Sequence, residues 1–336
     1  VTTAENRTAT ERTRVAIVGY GNLGRGVELA IDLCDDLELV GVFTRRDPAS
    51  VETSLPTTSV FSMQDLADRE DAIDVAILCG GSKSDLPVQG PELAERFTIV
   101  DSFDTHAEIP QYFAAVDAPA RANRRTAIIS TGWDPGLFSV NRLYGEAILP
   151  GGETYTFWGK GLSQGHSDAV RRIPGVAAAV QYTHPSAAAI EQVRSGSLPE
   201  LSTREKHTRE CFVVLESDAD AETVREAIVT MPHYFEPYET TVNFISADEF
   251  ARDHSAMPHG GFVMRSGKTG ADTRQIIEYR LELDSNPEFT ASVLVAYARA
   301  AHRMHQQQQF GAFTPFDVAP GLLSPKSPAQ LREELL

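Results

Sequence analysis

The stretch RVAIVGYGNLGRGVELAIDL, Arg14 to Leu33, decides the fold. Four consecutive apolar residues, Val15 to Val18, run into a glycine-rich turn, and beyond it the apolar positions recur at helical spacing. The turn reads Gly19-x-Gly21-x-x-Gly24, with Asn22 and Leu23 inside it. Glycines at that spacing are common, so the context carries the weight: a buried strand before, an amphipathic helix after. The first glycine makes the turn, and the second lets a pyrophosphate approach the backbone. The third lets the helix pack on the sheet, with phosphate held at the helix N-terminus. A ligand-free turn is the bland alternative, and the agreement of strand, glycines and helix speaks against it.

The next strand along, LELVGVF, ends in Thr44-Arg45-Arg46, twenty residues past Gly24. A site for NAD offers an Asp or Glu there to the ribose 2′-hydroxyl. Two guanidinium forks and a hydroxyl suit a 2′-phosphate instead, so the stretch reads as an NADP site. An exposed basic turn is the competing reading.

Further out, IDVAILC, FTIVDSF and TAIIST repeat the buried-strand pattern with helical stretches between, which predicts a Rossmann-type, doubly wound parallel α/β sheet. The texture changes near Trp133. Gly and Pro punctuate the chain, and longer alternating strands such as ECFVVLE, TTVNFIS and RQIIEYRLEL suit a second, α+β domain for substrate binding and dimerisation. The expected division is a disordered tail over 1–12, a dinucleotide-binding domain over 13–133 and a substrate domain over 134–286. The final helix and tail, about 287–336, are expected to pack back on the first domain.

Composition narrows the partners. The 336 residues carry a formal charge of −17, which argues against nucleic acid or an anionic membrane surface. No apolar run is long enough for a membrane span, and the N-terminus lacks a signal-peptide centre, so a cytoplasmic protein is expected. Cys34, Cys79 and Cys211 are far apart and form no metal-ligand spacing; free thiols in a reducing compartment account for them, and no metal is expected.

In open parallel sheets, ligands bind beyond the carboxyl ends of the strands. Cys79, Gly80, Gly81 and Ser82 leave one such end, and the paired glycines give backbone room for a nicotinamide ring. Asp101 and Asp104 follow the next strand, and Trp133 and Asp134 follow the one after. Two carboxylates and an indole converging from separate strand ends would suit an ammonium group. Either carboxylate alone is more often a cap or turn residue.

At this point the chain resembles the meso-diaminopimelate dehydrogenase family. VAIVGYGNLGRGVE, STGWDPG, FWGKGLSQGHSDAVRRIPGV, CFVV, MPHGG, NPEFTAS and AAHRM look like that family's blocks, in the same order. The resemblance implies NADP-dependent oxidative deamination of meso-2,6-diaminopimelate at its D-centre, to L-2-amino-6-oxopimelate, ammonium and NADPH. It also implies a homodimer. By the same resemblance Asp104 and Asp134 flank the D-centre amine as the catalytic pair, and Trp133 and Trp158 form pocket walls. Gln164, Gly165 and His166 resemble the loop at the D-centre carboxylate. Thr183, Arg209 and His259 match the cluster for the L-centre carboxylate, with Asn286 nearby. The segment before CFVV departs from the family pattern, and Arg209 is preferred to Arg204 by its spacing to CFVV. On an exposed strand, Arg209 would be a solvated charge and nothing more.

Other readings are a broader D-amino-acid dehydrogenase, a dinucleotide sensor without activity, and a reductase of sugar-derived carbonyls. The last needs a Lys or His proton donor, for which Lys83 is the one lysine near a cofactor strand end. No Ser-His-Asp or Cys-His signature points to a covalent nucleophile.

Overall fold

The computed structural model describes residues 12–232 and 234–336. All but the last residue of the expected tail lie outside them. In chain order the first elements are β1 (Thr13–Val18), α1 (Asn22–Asp32), β2 (Leu37–Thr44), β3 (Val60–Ser62), β4 (Val75–Leu78), α2 (Leu86–Ala94), β5 (Ile99–Asp101), α3 (Ile109–Ala122), β6 (Thr126–Ile128) and α4 (Leu137–Ile148). Then follow β7 (Gly152–Trp158), β8 (Gly161–Leu162), α5 (Gln164–Arg171), β9 (Val176–Pro185), α6 (Ala187–Arg194), α7 (Thr203–Lys206), β10 (His207–Leu215), α8 (Ala221–Val229), β11 (Glu239–Phe244), α9 (Ala247–Asp253), β12 (His259–Lys268) and β13 (Arg274–Leu283). The chain closes with α10 (Asn286–Gln306), β14 (Gly311–Phe313) and α11 (Pro328–Leu335).

The described residues form two compact units, 12–140 with 287–336, and Asn141–Asn286. The first holds a seven-stranded sheet in the order β14-β6-β5-β4-β1-β2-β3, every pair parallel. The fold class expected from the sequence is the one observed. β1 shows why it reads as an unbroken apolar run: Val15 and Ile17 enter one buried cluster, Ala16 and Val18 the other. Both faces are covered, so both phases of the strand must be apolar. On one face α1 and α10 pack together through Val27, Ile31, Ala291, Leu294 and Ala298; on the other lie Leu86 of α2 and Tyr112 and Val116 of α3. The short strands β3 and β14 extend the sheet at its edges, pairing with β2 and β6.

The second unit contains a mixed sheet, β11-β10-β9-β8, and an antiparallel one, β13-β12-β7. β10 pairs antiparallel with β9 and parallel with β11. One face of the mixed sheet packs under α5 and α8 through Val170, Val176, Cys211, Val213, Val224 and Ile228. Among the described residues no helix is long and apolar enough to cross a membrane. Nor does any group of three or more His, Cys, Asp or Glu among them have the arrangement to hold a metal ion.

Candidate active site

In the first unit the glycine turn leads into α1. A Cβ on Gly24 would overlap the carbonyl oxygen of Gly19, so no larger residue fits where helix meets turn. Over Gly21 there is open space: a Cβ there would meet no atom within 4 Å. Gly21 caps α1 without any side-chain hydrogen bond. The first-turn N–H groups are therefore a backbone cradle with an open approach, which fits a dinucleotide pyrophosphate.

Beside this turn β2 ends. Thr44 is buried, and its Oγ1 accepts the N–H of Arg46 at 3.1 Å. The Arg46 guanidinium donates to the carbonyl of Tyr20, inside the glycine turn. Arg45 reaches Asp85 at 2.8 Å, with its side chain 68% exposed. Asp85 also accepts the N–H of Gly81 at 2.8 Å; that bond and the Arg45 charge hold its carboxyl below the ordinary range. Sequence reading missed Asp85, because nothing local distinguishes it from any helix cap. It missed Glu28 too. This carboxylate is fully buried in α1, where it accepts the Tyr20 phenol and the N–H groups of Ser54 and Leu55. Burial alone would raise its pKa, but hydrogen bonds from Thr58, Tyr20, Ser54 and Leu55 prevail and hold it below the ordinary value. Glu28 thereby pins the segment after Arg46 to the helix that carries the glycine turn.

Next along the sheet, burial pushes the Cys79 thiol pKa up, so Cys79 is an inert neutral thiol. Ser82 Oγ accepts the N–H of Asp104 at 2.8 Å and lies 3.4 Å from Thr105 Oγ1. It thus shapes the loop that presents Asp104, which is exposed. Asp101 is different: fully buried, it accepts the Tyr112 hydroxyl at 2.7 Å and the N–H groups of Phe103 and Ser130. Burial raises its pKa against those hydrogen bonds. Its backbone carbonyl also receives the N–H and hydroxyl of Thr131. Asp101 therefore ties the end of β5 to the end of β6, the two neighbouring strands after which Asp104 and Asp134 stand. Asp134 is half-buried, and Trp133 is buried with its ring edge-on to Phe138 at 5.2 Å.

In the second unit, register assembles residues far apart in sequence. Thr183 on β9 faces Arg209 on β10, and Gly161 on β8 pairs with Thr183 from the other side. A Cβ on Gly161 would meet His259 at 2.5 Å, so the absence of a side chain lets the His259 backbone and ring lie directly on β8. His259, Gly161, Thr183 and Arg209 thus form one row. Arg209 is 8% exposed, donates to Thr183 Oγ1 and lies 4.0 Å from the ring centre of Tyr238. Burial pulls its pKa down, partly offset by Tyr238. Its Nε, also buried, has no hydrogen-bond partner. A buried guanidinium N–H without an acceptor is costly, and a carboxylate ligand would satisfy it.

Around this row, the N–H of Trp158 donates to Nε2 of His207 at 2.9 Å and the two rings stack at 5.5 Å. The Trp158 side of the stack is partly exposed, while His207 is buried, which lowers its pKa to about 4, helped by the charge of Arg209. His166, at the start of α5 after Gln164 and Gly165, is likewise held near 4 by burial and by Arg209, with Ser163 Oγ 2.8 Å from its Nδ1. Both imidazoles are neutral at physiological pH. Gln164 Nε2 contacts the Met257 sulfur at 3.6 Å, and Met257 accepts the N–H of Asn286 through its carbonyl. His207 and Tyr238 carried no signal in the sequence. They matter only because His207 shares β10 with Arg209 and because β11, which Tyr238 precedes, pairs with that strand.

Known proteins match this chain closely. The model of the family described as diaminopimelic acid dehydrogenase C-terminal domain matches residues 132–285. A meso-diaminopimelate D-dehydrogenase of Lysinibacillus sphaericus is 64% identical over 323 residues, 96% of this chain and 99% of its own. The Corynebacterium glutamicum diaminopimelate dehydrogenase, solved in complex with DAP, has a TM-score of 0.90 at 49% identity, covering 97% of this chain and 99% of its own. An engineered D-amino acid dehydrogenase bound to NADP+ has a TM-score of 0.85 at 47% identity, covering 97% of this chain and all of its own.

Proposed function

The chain belongs to the meso-diaminopimelate D-dehydrogenase family, and from that premise we propose that it oxidatively deaminates meso-2,6-diaminopimelate at the D-centre with NADP. The single observation that carries the substrate reading is the buried Thr183–Arg209 pair, whose unpartnered Nε calls for a carboxylate. Arg209 with Thr183 and His259 takes the L-centre carboxylate, with Asn286 assisting on the family pattern. Gln164, Gly165 and His166 serve the D-centre carboxylate, and Trp133 and Trp158 provide apolar walls.

Amine oxidation needs a neutral nitrogen, because its lone pair must push as the Cα–H bond breaks. The substrate arrives as an ammonium. Asp104 and Asp134, on neighbouring strand ends, orient the nitrogen and accept its proton, directly or through water. The substrate imine is then hydrolysed by water, so no covalent nucleophile is required. The glycine turn and α1 N-terminus would hold the dinucleotide phosphates, and Thr44, Arg45 and Arg46 the 2′-phosphate. When bound, NADP supplies the hydride acceptor. The NADP preference is supported by the cationic end of β2 and by the NADP+ complex of the engineered relative.

We take the working form as a homodimer in a reducing cytoplasm. Ile276 and Ile277 on β13 and Leu143, Tyr144 and Ile148 on α4 are exposed apolar groups that a second copy would cover, and Cys34, Cys79 and Cys211 are free thiols. Light scattering on the purified protein tests the dimer.

The activity test is absorbance at the NADPH band with meso-, LL- and DD-diaminopimelate, each with NADP and NAD. Turnover confined to the meso isomer with NADP is expected. Asp134→Ala should abolish turnover, a loss of at least about a thousandfold, while NADP still binds; general acid–base groups contribute about 10²–10⁴. Near-normal activity in that variant excludes the proposed role.

A further inference from the structure

Beneath the Thr183–Arg209 pair lies Gln181, fully buried and two residues earlier on the same face of β9. Its backbone is fixed at both ends. The N–H donates to Ser167 Oγ at 2.9 Å, and the carbonyl accepts the Ser163 N–H at 3.0 Å. Its side-chain Nε2 donates to Thr183 Oγ1 at 3.4 Å. Its Oε1 is buried without a partner.

We propose that Gln181 is a positioning residue that fixes the Thr183 hydroxyl as a donor toward the carboxylate of the substrate. A hydroxyl has one proton and two lone pairs. Arg209 and the Gln181 amide both donate to Thr183 Oγ1, which occupies both lone pairs. The proton is left to point away from both donors, and the hydroxyl can serve a ligand only by donating. Together with the unpartnered Nε–H of Arg209, the row then offers N–H and O–H donors and calls for an anion. With the amide reversed, the Thr183 proton would turn inward to Oε1, and the row would lose a donor. The direction of one buried amide therefore sets the polarity of a hydroxyl in the site. The inference rests on the reading of Thr183 and Arg209 as carboxylate ligands.

Gln181→Met keeps the volume and removes the donor. At saturating NADP, KM for meso-diaminopimelate should rise about tenfold, the order set by one hydrogen bond to a charged group, with kcat changed less than about twofold. The same substitution on a Thr183→Val background should add nothing, because Gln181 acts through the hydroxyl. An unchanged or lower KM in Gln181→Met overturns the proposal, since a reversed amide would release the hydroxyl to the substrate. So does a full additional effect on the Thr183→Val background. Should Gln181→Met not fold, Gln181→Leu is judged by the same rule. Arg209→Met, measured in parallel, separates the two levels. If it leaves KM untouched, the carboxylate reading falls and this inference with it. If it weakens binding while Gln181→Met does not, only the role of Gln181 fails.

Discussion

Arg45 and Arg209 carry positive charge in opposite settings. Arg45 is mostly exposed at a strand end and already ion-paired with Asp85, while Arg209 lies inside a strand, buried, with one N–H unpaired. An exposed guanidinium is cheap to place and gains little from any single partner. A buried one depends on its ligand for satisfaction, so it discriminates strongly between substrates that supply a carboxylate and those that do not.

The sharpest way to break this contrast is Arg209→Met. We expect kcat/KM for meso-diaminopimelate to fall at least about a hundredfold, the order for truncating a buried, charge-assisted contact. Preference over D-alanine should collapse, and thermal stability should hold or rise, because an unsatisfied buried charge has gone. A loss of folding stability instead would make Arg209 a structural residue. For the exposed pair, Arg45→Ala with Arg46→Ala should weaken NADP binding by roughly a hundredfold and leave NAD nearly unchanged, as read by calorimetry. Equal losses for both cofactors would remove the 2′-phosphate role.

A pH titration probes the buried side of the comparison. His166 and His207 have folded pKa values near 4 against an unfolded value near 6.5, so between those limits the unfolded chain binds more protons. Stability should therefore rise from pH 4 to 6.5, by on the order of 2–3 kcal/mol for each histidine. His207→Gln should flatten part of that slope in denaturant melts. The smallest effect is ionic. Raising salt from about 0.05 to 0.5 M should weaken NADP by several-fold through the exposed arginines and change KM for diaminopimelate much less, because buried charges are poorly screened.

How far the sequence could be read follows the same division. The glycine turn, the arginines after β2 and the alternation of buried strands with helices are local patterns, and each was legible. The edge strands β3 (VFS) and β14 (GAF) were not, because, unlike the equally short β5 and β6, they are not embedded in an apolar stretch such as FTIV or AII. The alternation in ECFVVLE starts a strand at Glu210, whereas β10 begins at His207. Those three residues decide whether Arg209 is a solvated charge or a buried one. Thr183, Arg209 and His259 could be put together only through resemblance to a family, because no spacing in the chain relates them.

From the sequence alone came the parallel sheet, the glycine turn into α1 and the cationic end of β2, because each depends on neighbours within a few turns of chain. Tertiary structure alone decided that Asp85 holds Arg45, that Glu28 pins the segment beyond it, and that Gln181 and His207 flank the buried arginine. A hydrogen bond is made or lost over an ångström, and for residues 26 to 40 positions apart only the packing of strands, helices and loops sets that distance.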